Sequence, residues 1–144
     1  MSLGLDESFG VRSSPKEIKK VDFVSGGFMM VKKQVFEKLN GFDENFFMYV
    51  EDVDFCKRAK NAGYQTYFTP ETELVHVSHG SSDRSFAIEN IYKGLFYYTK
   101  KHGNIFSYYL AKLLLRLKAI VLVIIGTIFN NSYLVDTYKK SMSA

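Results

Sequence analysis

The chain has 144 residues, 47% of them hydrophobic and 24% charged, which suits one domain with a modest core and excludes a disordered chain. A formal net charge of +4 is too mild to imply nucleic acid unless it is concentrated on one face. Cys56 is the single cysteine, so an internal disulfide and a cysteine-based zinc site are both excluded.

Residues 1–20 are polar and charged, with Gly4, Gly10 and Pro15. They predict a loop or disordered lead-in, and they lack the apolar core of a signal peptide. The stretch "VDFVSGGFMMV", 21–31, is apolar and β-rich. It predicts a strand, with a bulge or a close backbone approach at Gly26–Gly27. A short helix is expected over 32–41, with Val35, Phe36 and Leu39 on one face and Asn40–Gly41 as its left-handed stop.

"FDENFFMYV", 42–50, reads as a loop too aromatic to be a mere solvated connector. A helix is predicted over 51–62, with Phe55, Cys56, Ala59 and Ala62 as its apolar set and Gly63 as its stop. "YQTYFTP" and "ELVHV" predict two short strands. A long helix follows to Gly103, capped by Ser81, Ser82 or Asp83. Residues 105–129 are the most hydrophobic, but Lys112, Arg116 and Lys118 interrupt them. The uncharged piece 119–129 is shorter than the roughly 20 residues a membrane span requires. An amphipathic helix in a membrane interface, or a helix packed on protein, is expected instead.

Three carboxylates, Glu51, Asp52 and Asp54, crowd the first turn of the second predicted helix. Free N–H groups and the positive end of the helix dipole favour negative charge there. Ordinary capping would explain them. An ionised carboxylate at a cleft mouth would also serve as a general base. Asp54 is expected to cap the helix or pair with Lys57 or Arg58.

The stretch from "SGGFMMVKKQVFEKLNGFDENFFMYVEDVDFCKRAKNAGY" through "HGSS" resembles the C-terminal half of the family 2 inverting glycosyltransferases, especially the rhamnosyltransferase-like enzymes of surface polysaccharides. Asn40–Gly41 stands where that pattern normally has Gly-Gly. The resemblance implies Asp52 as the catalytic base that takes the acceptor hydroxyl proton. It implies acceptor contacts at Glu51, Asp54, Gly26, Gly27 and Tyr49, and a metal ligand at His76, with His79 as a rival. Phe46, Phe47 and Tyr49 would be core, or one or two of them would stack on a sugar.

The fold class implied is α/β, or α+β for the piece alone: part of a GT-A fold, with few short strands flanked by helices. Residues 1–20 would be the lead-in, 21–103 the C-terminal half of the transferase domain and 104–144 an amphipathic helical tail. No Asp-x-Asp motif precedes Val21, so a fragment inactive alone is expected. The complete enzyme would use a nucleotide-sugar donor, a glycan or lipid-linked acceptor and a divalent cation, Mg or Mn. A cytoplasmic place at the inner face of the cell membrane, homo-oligomers and no nucleic-acid partner are further expectations. A non-catalytic glycan- or membrane-surface-binding module is the alternative.

Overall fold

A computed structural model describes residues 16–73 and 83–143. The described residues form two compact units, one built from 16–45 and 51–73, the other from 46–50 and 83–143.

The first unit begins with strand β1 (Lys19–Val21), which pairs antiparallel with β2 (Thr66–Phe68), Lys20 lying opposite Tyr67. Between them come a 3-10 turn at Gly26–Phe28 and the helices α1 (Lys33–Lys38) and α2 (Glu51–Asn61). The strand expected over 21–31 is therefore not formed beyond Val21. Side chains take the amides it would have offered to a neighbour: Gly27 N–H donates to Ser25 Oγ and Gly26 N–H to Asp52 Oδ2.

The stop signals act as expected. Asn40 and Gly41 have φ of 57° and 67°, and Gly63 has φ of 88°. Gly41 N–H donates to the Phe36 carbonyl and Tyr64 N–H to that of Ala59. The turn after α1 folds Phe42 back, so that Phe36, Phe42 and Phe55 cluster edge-on and tilted with centroids 5.4–5.6 Å apart. Phe55, 3% exposed, gains about 2 kcal/mol from burial. The second strand expected at 73–77 falls almost wholly outside the described residues.

The second unit is helical: α3 (Arg84–His102), α4 (Ile105–Ile128) and α5 (Ser132–Met142). Of the three cap candidates for α3, Asp83 caps it, its carboxylate accepting from Ser85 and Phe86; Ser81 and Ser82 lie outside the described residues. Asn104 and Asn131 cap the next two helices through the amides of Ser107 and Leu134. Tyr92, Phe96 and Ala119 form the core, with Leu115, Tyr138 and Met142 packed around it. Burial, helped by Tyr138, pushes the Tyr92 phenol up to about 12.

The tail thus turns back on itself rather than running on. Asn130, with φ of 52°, ends α4, and α5 folds against it. A Cβ on Gly126 would stand 2.9 Å from Leu134 Cβ and 3.1 Å from the Asn131 carbonyl, so this crossing requires glycine. The loop residues 46–50 also belong here. Phe46 is buried edge-on to Tyr97 at 4.8 Å. Val50 is buried where a Cβ on Gly94 would come within 2.9 Å of its Cγ2.

Candidate functional site

Residues Tyr49 and Val50 lead into α2 with φ of 68° and 71°. Two successive left-handed residues without glycine are uncommon, and a β-branched one is an outlier; such residues cost on the order of 1–3 kcal/mol each. They persist because packing fixes them, Val50 by its contact with the bare backbone of Gly94. Neither side chain favours this conformation, so the sequence carries no signal of it.

The first turn of α2 then presents its acids. Asp52 accepts from two backbone amides, Oδ2 from Gly26 at 2.8 Å and Oδ1 from Val53 at 2.7 Å. It thereby ties the glycine turn to the helix start. A Cβ on Gly26 would lie 3.6 Å from Asp52 Oδ2, so a side chain there would rest in ordinary van der Waals contact with the carboxylate. Gly26 also borders a groove lined by Met29, Val31, Lys33, Phe36 and Phe42.

Glu51 is different. Its Oε2 is buried and finds no hydrogen-bond partner among the described residues. Burial first, and the Asp52 charge as a lesser cause, hold its carboxyl above the usual carboxylate range, against a lowering backbone hydrogen bond. Two adjacent carboxylates thus have unlike surroundings, Asp52 bonded by two backbone amides and Glu51 with a buried, unbonded oxygen.

Asp54 does not face an acceptor. Its side chain is 0% exposed and it bonds Arg58 Nε at 2.7 Å. The guanidinium reaches on to the carbonyls of Leu39 and Gly41 at 2.6 and 2.7 Å. The acceptor role expected for Asp54 is replaced by a structural one, because one turn of helix carries it from the open N-terminus into the core. Pairing with Arg58 is the other expectation, and it holds. The reach of Arg58 to two carbonyls of the α1 turn has no local sequence signal.

Cys56 lies one turn on, 3% exposed. Burial pushes its thiol up, opposed by hydrogen bonds with Val24 and Thr66. It is a structural residue, not a nucleophile.

The structure therefore brings together Asp52, Glu51 and Gly26, with Gly27 turned onto Ser25. Tyr49 belongs to the second unit. There Phe46 is core, while Phe47 stays 77% exposed. His76 and His79 lie outside the described residues. Among the described residues no three His, Cys, Asp or Glu side chains gather to hold a cation. They do not fit a metal by themselves.

Comparison with known proteins places this site in context. Residues 11–80 match the family model described as the N-terminal domain of galactosyltransferase. That description overturns the expected placement in a C-terminal half. The chain is 36% identical over 84 residues to the rhamnosyltransferase WbbL of Escherichia coli, covering 58% of this chain and 31% of that protein. It is 37% identical over 73 residues to the N-acetylglucosaminyl-diphospho-decaprenol L-rhamnosyltransferase of Mycobacterium tuberculosis, covering 51% and 24%. It is 33% identical over 73 residues to the dTDP-rhamnosyl transferase RfbF of Shigella flexneri, again covering 51% and 24%. The chain spans less than a third of the length of each of these relatives. No solved structure matches it.

Proposed function

From its similarity to rhamnosyltransferases, we propose that the chain supplies the proton-accepting carboxylates of a sugar transfer in glycan synthesis. The names of the relatives suggest the substrates: a dTDP-linked rhamnose as donor, and as acceptor a hydroxyl of a glycan, in one relative a lipid-diphosphate-linked one.

The observation that carries this reading is Asp52, fixed at the start of α2 by the Gly26 and Val53 amides. Each of its oxygens keeps a lone pair beyond those bonds. An acceptor hydroxyl would give its proton to Asp52 as its oxygen bonds the anomeric carbon. The bond from that carbon to the nucleotide diphosphate breaks, and the diphosphate leaves with the electron pair. Attack from the opposite face inverts the configuration. A divalent cation on the donor diphosphate belongs to the same proposal, with His76 as its candidate ligand from this chain, and no step above runs through it.

A second assignment rests on Glu51. Its unpartnered buried oxygen and raised carboxyl suit a proton acceptor better than a saturated one. In the full-length protein that carries this segment, Asp52→Asn is expected to lower transfer from dTDP-rhamnose by about 10²–10⁴-fold, and Glu51→Gln by less. The reverse order would move the base to Glu51. Full activity in both variants would remove the reading altogether. The anomeric configuration of the product, read by NMR, tests inversion.

A further inference from the structure

Helix α4 has two unlike sides. One packs on α3 and α5 through Ala119 and Gly126, both buried. Along the other run Phe106, Leu113, Leu117, Ile120, Ile124 and Ile128, each 44–72% exposed. Their spacing of three, four or seven residues keeps them in one stripe down the helix. A contiguous apolar stripe of this length on a protein surface marks an interaction face.

The charges say what it meets. Arg116 and Lys118 are both exposed, and at 3.6 residues per turn they stand roughly 100° to either side of Leu117. Each therefore borders the stripe, where a long cationic side chain can lie along apolar surface with its head outward. Lys112 is not part of this rim. It is half-buried on the packed side, its Nζ 5.9 Å from the Phe96 ring centre and 5.6 Å from that of Tyr108. Residues 90–135 contain six Lys or Arg (Lys93, Lys100, Lys101, Lys112, Arg116, Lys118) and no Asp or Glu.

From this we propose that the outward face of α4 docks flat on an anionic lipid surface. Apolar side chains would enter the acyl boundary, and Arg116 and Lys118 would meet the headgroups on either side. A span is not available, since among the described residues no helix is long and apolar enough to cross a membrane. A second copy fits poorly. A two-fold contact through this stripe would set the cationic rim against itself, with no carboxylate on α4 to answer it. The proposal does not depend on the assignment of Asp52.

The test uses the full chain with vesicles of phosphatidylcholine, alone or mixed with phosphatidylglycerol. Flotation with the mixed vesicles only, weakened by high salt, is expected. Arg116→Glu with Lys118→Glu should lower the partition coefficient on the order of 100-fold. Leu117→Ser with Ile124→Ser should abolish binding with the helical circular dichroism unchanged, because both side chains already face outward. The chain has no tryptophan, so Ile124→Trp gives a single reporter. Its emission should shift to the blue only when anionic vesicles are added, and brominated lipids should quench it. No flotation with mixed vesicles at low salt overturns the proposal. So does binding that survives Leu117→Ser with Ile124→Ser. Blue-shifted emission from the Ile124→Trp variant without lipid, growing with protein concentration, assigns the face to a protein contact and equally overturns it.

Discussion

Arg58 and Gly126 do the same job in the two units by opposite means. In the first unit the strands are three residues long and α1 six. There a guanidinium spans the gap between helix and turn, with one donor on Asp54 and two on carbonyls. In the second unit α4 meets α5 because a side chain is missing, and the backbones close on each other at Gly126. A unit made of loops fixes its geometry with directional polar bonds. A unit made of helices does so with shape. The first kind suits a site, since Asp52 is aimed by two backbone amides and Asp54 by Arg58. It also concentrates risk, because a buried charge stripped of its partner is among the costliest defects a fold can carry.

The sharpest way to break this contrast is Arg58→Ala. It would leave Asp54 buried without its counter-ion, at an expected loss of about 3–5 kcal/mol. Chemical denaturation gives the total, and hydrogen exchange at α2 amides shows whether the loss falls there. Replacing Asp54 as well, by Asn, should recover a large part. A loss below about 1 kcal/mol would mean that the phenylalanine cluster, not the ion pair, holds the first unit. The matching change in the second unit is Gly126→Val. Overpacking against Leu134 and Val135 should cost about 1–3 kcal/mol, read as a lower thermal midpoint. A neutral result would show that α5 moves aside freely.

The smallest effect concerns Glu51 and has a definite sign. Its carboxyl is raised above the ordinary value of 4.5, mainly by burial, so the folded chain binds that proton more tightly than the unfolded chain does. The associated stability is fully present below pH 4.5 and is lost as pH rises through the folded value. Glu51→Gln should therefore raise the thermal midpoint at pH 7, with the gain shrinking as pH falls through the carboxylate range. A gain that persisted unchanged at about pH 3, below the ordinary carboxylate values, would detach Glu51 from this role. A stabilising loss of an acid beside Asp52 is what a residue kept for chemistry rather than for folding would show.

Much of this is legible in the sequence because it is local. Asn40–Gly41 and Gly63 end their helices as left-handed stops, the long helix before Gly103 forms, and the pairing of Asp54 with Arg58 is open to sight as an i, i+4 spacing. The strand over 21–31 fails where the Gly26 amide is claimed from afar, by an aspartate 26 residues on in the chain, and the Gly27 amide by Ser25 beside it. Periodicity cannot register such a contact. The same holds for Tyr49 and Val50, whose left-handed backbone contradicts their residue types and is set by Gly94, far along the chain. The family resemblance implies an acceptor contact at Asp54, whereas the helix turns it inward. The tail reads from its pattern as one stretch to 129. Its two faces, and the removal of Lys112 from the cationic rim, depend on α3 and α5, which a single helix pattern does not contain.

Cys56 has a use that follows from its burial. A thiol enclosed at the middle of α2 and held in its protonated form reacts slowly with maleimides or oxidants. Modification then has to wait for the helix to open, so in native buffer its rate reports how often α2 opens. As the only cysteine, it needs no mutagenesis to be read. It is thus a built-in clock for the opening of the very helix that carries Glu51 and Asp52.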